Sequence, residues 1–175
     1  MRRPLLLLTV AAFCALAAGA RLNTGRMRTI SVVLGPRQAP QLLTACDGSR
    51  VRADSFWTPD ARNLRALQPR LSSRLEEMRD AGSRSELRDY SRQQLGLYRD
   101  GRRLVFINGV HDLYIRRTAE LLREQGLSAR QARRSTERWL RNEAVEVCDG
   151  GEAFFRAEYD VATDRVAWFA FNGRS

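Results

Sequence analysis

The feature that most restricts the fold is a two-residue turn between two β-type runs. In "QLGLYRDGRRLVFING", Asp100-Gly101 separates two stretches rich in leucine, aromatic and β-branched residues. Asp-Gly favours a tight hairpin turn because glycine adopts positive φ without strain. "EAFFRAEYDVATDRVAWFAFNG" has a similar layout, with predicted strands at 153–159 and 165–171. Apolar residues on both faces of the last strand predict that it is covered on both sides. The second half of the chain therefore predicts two antiparallel hairpins.

A long helical stretch, "WTPDARNLRALQPRLSSRLEEMRDAG", precedes the first hairpin. Thr58 is the predicted N-cap, and Pro59 suits the first helical position because its missing N–H costs nothing there. Pro69 interrupts the pattern, so we expect a kink or two consecutive helices. One apolar stripe follows a three- and four-residue spacing: Leu64, Leu67, Leu71, Leu75 and Met78. A short helix from Ser85 is predicted to follow.

A second helical region, 111–141, lies between the two hairpins. Asp112 is a predicted cap of its first helix, Gly126 a predicted end, and Ser128 a predicted cap of its second helix. Before residue 58, "TISVVLG" and "QLLTAC" predict short extended pieces within a lead-in at 21–57. "EAVEVCDGG", after the helical pair, alternates as a further strand. The predicted fold of 58–175 is one α+β domain: N-terminal helices packed on an antiparallel meander of about four to five strands, with an inserted helical pair.

The first 20 residues, "MRRPLLLLTVAAFCALAAGA", are typical of an export signal. Arg2 and Arg3 form a short cationic start, an apolar run follows, and Ala18-Gly19-Ala20 fits a small-x-small cleavage site. The run is shorter than the roughly 20 residues that span a bilayer, which disfavours the alternative of a retained anchor. The expected location is therefore periplasmic or secreted, and the expected contact with a membrane is only transient, through the signal.

Two cysteines, Cys46 and Cys148, remain after the predicted cleavage. In an exported protein such a pair predicts a disulfide, and two free thiols or a catalytic cysteine are the alternatives. His111 is the sole histidine and there is no C-x-x-C, so the sequence predicts no metal site. It also has no phosphate-binding glycine loop and no dinucleotide fingerprint, so no cofactor is expected.

The positive charge comes from arginine alone. Lysine is absent, and loss of Arg2 and Arg3 with the signal leaves 28 arginines against 20 acidic residues, a net charge of +8. A GC-rich genome would produce such a composition without any functional reason. The alternative is attraction to a polyanion, because "SARQARRSTERWLR" carries five candidate contacts: Arg130, Arg133, Arg134, Arg138 and Arg141. Ion pairing of Glu137 with Arg133 and Arg141 would oppose it.

Aromatic residues supply candidates for a partner surface: Trp57, Phe154, Phe155 and Trp168. Tryptophan and phenylalanine are enriched at protein interfaces. The alternative is that most of these rings belong to the core.

The C-terminal stretch "VEVCDGGEAFFRAEYDVATDRVAWFAFNG" resembles a group of small exported, functionally uncharacterised bacterial proteins. The shared pattern is Val-Cys-Asp-Gly-Gly, an aromatic pair, Tyr-Asp, a threonine-bearing turn and Phe-Asn-Gly. "FWTPDARNLRAL" and "YSRQQLGLYRDGRRLVFING" extend the likeness upstream. This chain departs from the group by its arginine-rich helical pair at 111–141. The resemblance implies one exported α+β domain and no known activity.

No catalytic set is visible in the sequence. The sole histidine, His111, has no G-x-S-x-G motif near it, although a small hydrolase that uses His111 remains an alternative. We therefore expect an exported, non-catalytic binding domain whose partner is an unidentified protein or envelope component. An arginine-rich binder of an envelope polyanion or anionic membrane surface is the alternative function. Nucleic acid is an unexpected partner for an exported protein.

Overall fold

Six strands form one mixed sheet in the computed structural model, which describes residues 29–44, 51–79 and 84–172. The predicted signal at 1–20 and the predicted disulfide residue Cys46 lie outside those residues. Five strands follow the order β1-β3-β4-β5-β6, while β2 shares the outer edge of β3 with β1. Only the β1–β3 pairing is parallel. The strands are β1 (Ser31–Val33), β2 (Ser55–Trp57), β3 (Tyr90–Arg99), β4 (Arg102–His111), β5 (Gly151–Asp160) and β6 (Arg165–Asn172).

Four α-helices accompany the sheet within the described ranges, and the α+β class is confirmed. They are α1 (Ala39–Leu42), α2 (Ala61–Met78), α3 (Asp112–Glu124) and α4 (Ala129–Asn142), with 3₁₀ turns at Pro36–Gln38 and Leu87–Asp89. The predicted extended piece "QLLTAC" is wrong, because α1 occupies its first residues. The predicted strand in "EAVEVCDGG" is also wrong, since no strand begins before Gly151.

Both predicted hairpins are confirmed. Asp100 and Gly101 have φ of 50° and 73°, as a two-residue turn between right-twisted strands requires. The strands are longer than predicted because β3 already begins at Tyr90, paired with His111. The helix expected from Ser85 is therefore reduced to the 3₁₀ turn Leu87–Asp89.

The predicted leucine stripe covers one face of the sheet. α2 is a single helix of 18 residues with Pro69 inside it, so two consecutive helices are wrong. Proline removes one backbone hydrogen bond, and the packing of leucines on both sides of Pro69 holds the helix together. Its N-cap is Asp60, which accepts from the N–H of Asn63 at 2.8 Å, instead of Thr58. The buried residues of this layer are Leu67, Leu71, Leu75, Leu87, Tyr90, Val105, Ile107, Phe155, Ala157, Tyr159, Phe169 and Phe171.

The opposite face is covered by α1, α3, α4 and the chain that follows α4. Two apolar groups lie there, one around Leu42, Leu97 and Phe106 and one around Val110, Leu140 and Phe154. The cover stops at β6. Phe169 and Phe171 are buried under α2, while Trp168 on the other side of the strand is 45% exposed. The expectation that β6 is covered on both sides is therefore wrong.

Candidate functional site

The outer face of α4 presents four arginines in one line. Arg130, Arg134, Arg138 and Arg141 are all exposed, and we call them the arginine stripe. Their spacing places them within about 80° of the helix circumference and along about 16 Å of its axis. None of the four forms an ion pair with another described residue. The stripe is thus a row of positive charges without counter-charges.

The fifth predicted arginine behaves differently. Arg133 Nε lies 2.9 Å from Glu137 Oε1, so this pair is neutral overall and Glu137 does not reach the stripe. The predicted opposing contact between Glu137 and Arg141 is absent from the ion pairs of the described residues. Arg134, Arg138 and Arg141 line a shallow cavity of about 450 Å³. Arg133 and Arg141 line a second one of similar size, whose other wall is Thr29, Ile30 and Ser31.

Buried contacts hold α4 in place and fix the direction of the stripe. Ser128 is the N-cap as predicted, and Ala132, Thr136 and Leu140 form the buried side. At the C-terminal end, Gln93 of β3 donates from Nε2 to the carbonyl of Leu140 at 2.9 Å and also to the carbonyl of Glu143. The helix cannot rotate about its axis without breaking these contacts, so the stripe faces solvent.

The aromatic candidates do not form one surface. Phe154 and Phe155 are 2% and 0% exposed, so their assignment to a partner surface is wrong. Neighbouring strand residues point to opposite faces, and both faces are covered at β5. Trp57 is half-buried beside Gly96, and the guanidinium of Arg103 lies 3.8 Å from its ring centroid.

Trp168 is exposed, and charged groups that satisfy one another surround it. Together with Val51, Arg99, Arg102, Glu158 and Ala167, it lines a cavity of about 350 Å³. Arg99 forms a two-point ion pair with Glu158, and Arg102 donates to Asp160 from Nε at 2.9 Å and from Nη2 at 2.7 Å.

These ion pairs control the protonation of the cavity wall. Burial alone would raise the pKa of Asp160, but hydrogen bonds from Arg102 and from the N–H groups of Ala162 and Thr163 outweigh it and lower the pKa. The hydrogen bond to Glu158 raises the pKa of Arg99 against the effect of burial. The charges of this cavity are therefore already compensated by the protein itself.

His111 lies against a serine and an aspartate. Its Nε2 is 3.3 Å from Ser85 Oγ, and its Nδ1 is 3.2 Å from Asp112 Oδ1. The Tyr90 ring packs edge-on against the imidazole, with centroids 4.9 Å apart. Burial lowers the pKa of His111, although the Asp112 carboxylate acts in the opposite direction. Ser, His and Asp are the residue types of a hydrolase triad.

A structural role competes with that chemistry. His111, and not Asp112 as predicted, is the N-cap of α3: its Nδ1 accepts from the N–H of Leu113 at 3.2 Å. A ring nitrogen that accepts this bond carries no proton, so the proton lies on Nε2 and points to Ser85. Serine activation needs the reverse, an Nε2 that accepts from the hydroxyl. Neither His111 nor Ser85 lines any of the five described cavities.

Cys148 is disulfide-bonded, and its partner lies outside the described residues. The pairing with Cys46 stays a prediction. The chain before Cys46 does approach the strand after Cys148, because Arg156 Nη1 of β5 donates to the carbonyl of Thr44 at 2.9 Å.

Two other classes of site find no support in the ranges 29–44, 51–79 and 84–172. No cluster of three or more His, Cys, Asp or Glu side chains there is placed to hold a metal ion. No helix of that part is long and apolar enough to cross a membrane. No family model, curated protein or solved structure matches the chain. The resemblance to small exported bacterial proteins therefore stays a prediction.

Sequence reasoning missed two features of the surface. It gave no role to Leu113 and Leu121, which are 61% and 43% exposed on α3. Their eight-residue separation places them on one helical face and was a usable signal. It also missed the approach of Ser85 to His111, which no local pattern indicates because the two residues meet only when β3 pairs with β4.

Proposed function

We propose that the protein is an exported, non-catalytic binding domain that attaches to an anionic partner through the arginine stripe. The observation that carries the proposal is the row of four exposed guanidinium groups without a carboxylate partner. Like charges in a row repel one another, and a bound polyanion removes that repulsion and releases counterions. Guanidinium groups also bind phosphate and carboxylate through paired hydrogen bonds.

The sequence-based alternatives support this choice by their outcome. Of the four aromatic candidates for a protein contact, two are buried and the others lie apart from α4. The cavity beside Trp168 has internally compensated charges. Ion pairing on α4, which would have explained its arginines without a partner, involves Arg133 alone.

The test is binding of the purified protein to immobilised polyphosphate at increasing salt concentrations. Four phosphate contacts predict a fall of log K with log salt with a slope of about 3. R134Q/R138Q should lower that slope to about half. R62Q/R65Q is the matched control, because both residues are exposed on α2, on the opposite face of the sheet, and lie in no described ion pair. Equal slopes for the two variants would contradict the proposal.

A hydrolase is the second candidate function, favoured by the contact between Ser85 and His111. A fluorophosphonate probe reacts with activated serines and distinguishes the two possibilities. We expect no labelling, because the capping bond directs the ring proton towards Ser85. Labelling of wild type that disappears in Ser85→Ala would establish catalysis and reject the non-catalytic proposal.

A further inference from the structure

We infer that the anionic partner is the surface of a phospholipid bilayer, on which α3 and α4 lie side by side with their outer faces towards the headgroups. This inference rests on the proposed function and names the partner of the same stripe. Three observations distinguish a bilayer from a soluble polyanion: apolar side chains beside the stripe, neutralised acids around it, and the point at which the chain enters the fold.

The first observation is the exposed leucine pair on α3. Within the described ranges only five large apolar side chains are exposed, and Leu113 and Leu121 are the two on a helix. α3 and α4 form one helical hairpin, and Arg117 and Glu124 of α3 share a cavity of about 640 Å³ with Ser128 at the start of α4. The outer faces of the two helices thus belong to one surface. A soluble polyanion has nothing to bind a leucine, whereas the headgroup boundary of a bilayer accepts apolar side chains.

The second observation is that the acidic groups of this surface are paired. Arg117 Nη1 lies 3.3 Å from both Glu120 Oε2 and Glu124 Oε1, and Glu137 is paired with Arg133. A negatively charged leaflet therefore meets the uncompensated stripe without facing free carboxylates among these residues. Attraction to such a leaflet is about fivefold in binding per arginine near its surface.

The third observation is where the chain enters the fold. Thr29, Ile30 and Ser31 line one cavity with Arg133 and Arg141, so the 28 residues before Thr29 start beside the stripe. The last eight of those residues carry three more arginines: Arg21, Arg26 and Arg28. An apolar N-terminal run and a basic surface therefore approach a membrane from the same side of the domain.

The experiment is co-flotation of the purified protein with vesicles, in parallel with binding to polyphosphate. Vesicles of phosphatidylglycerol and phosphatidylethanolamine in a 3:7 ratio are compared with phosphatidylcholine vesicles. R134Q/R138Q should weaken binding to the anionic vesicles about 25-fold, from fivefold per arginine. L113Q/L121Q should weaken vesicle binding about tenfold through lost apolar burial and leave polyphosphate binding unchanged.

Two control variants separate the surface from general effects. R62Q/R65Q removes the same charge from the opposite face, and Phe56→Gln removes an apolar side chain that is 37% exposed on β2. Both should bind the anionic vesicles as wild type does. Polyphosphate binding without binding to anionic vesicles, or vesicle binding unaffected by L113Q/L121Q, overturns the bilayer inference and leaves the proposed function standing. Binding to neither probe overturns both.

Discussion

Replacing Gln93 by leucine tests how the sheet holds the arginine helix. Gln93 is 1% exposed. Its Nε2 donates to the carbonyls of Leu140 and Glu143, while its Oε1 accepts from the N–H of Val145 at 2.9 Å and from Asn108 Nδ2 at 3.2 Å. Leucine has a similar volume and makes none of these four bonds, so Gln93→Leu deletes polar contacts with little change in packing.

The magnitude follows from the groups left without partners. Asn108 Nδ2 keeps its bond to the carbonyl of Val145 at 2.8 Å, but the Val145 N–H and at least one helix carbonyl lose theirs. Each buried polar group without a partner costs about 1–3 kcal/mol. We therefore expect Gln93→Leu to lower the free energy of unfolding by about 3–5 kcal/mol, a large part of the usual 5–15 kcal/mol.

Urea unfolding followed by tryptophan fluorescence measures this loss. Gln68→Leu is the control: Gln68 is half-buried and bonds only to Leu64 of its own helix, so its change should stay within about 0.5 kcal/mol. Hydrogen exchange should show lost protection of the amides near Leu140 and unchanged protection of α2. A Gln93→Leu protein within about 1 kcal/mol of wild type would refute this account of how α4 is anchored.

Three further predictions concern the core and the tyrosines. Leu71→Ala should lower the free energy of unfolding by about 2–5 kcal/mol, because Leu71 is fully buried under α2; a loss below about 1 kcal/mol in urea would contradict the packing. Gly109→Ala should destabilise by about 1–3 kcal/mol, since its Cβ would come within 2.1 Å of the Phe155 ring, and an unchanged Tm would oppose that. Burial raises the pKa of Tyr90 to about 12 and, with the hydrogen bond to Asp164, the pKa of Tyr159 to about 12. Both values exceed that of an unfolded tyrosine, about 10, so the stabilisation is complete below pH 10 and is lost as the pH rises towards 12. Absorbance at alkaline pH should show two late-titrating tyrosines, and uniform titration near 10 would disprove their burial.

Local signals in the sequence predicted the elements that local physics determines. Asp100-Gly101 set the first hairpin because both residues accept positive φ. The leucine spacing identified α2 and its buried side, and Ser128 marked the start of α4. The arginine stripe was also visible, because helical periodicity alone places residues 130, 134, 138 and 141 on one face.

Features made by distant segments could not be predicted. β1 and β2 are three residues each, and what makes them strands is β3, with which both pair. The segment "EAVEVCDGG" alternates like a strand, yet Val145 bonds to the side chain of Gln93 instead of to a neighbouring strand.

The candidate partner surface failed for a related reason. Phe154 and Phe155 were expected to be too close together for both to be buried in a small sheet. The helical pair supplies the missing cover: Phe154 packs with Ile115 and Leu140, while Phe155 packs under α2. An insertion that looked peripheral in the sequence thus completes the core.

The pairing of β1 has a consequence for the order in which the sheet is assembled. Ser31 pairs with Arg92, 61 positions later in the chain. The first strand to be synthesised therefore has no backbone partner until β3 has left the ribosome, whereas β3 finds β4 across a two-residue turn. The nascent chain carries an unpaired strand for the time needed to add those intervening residues, and the edge that is made first is closed last.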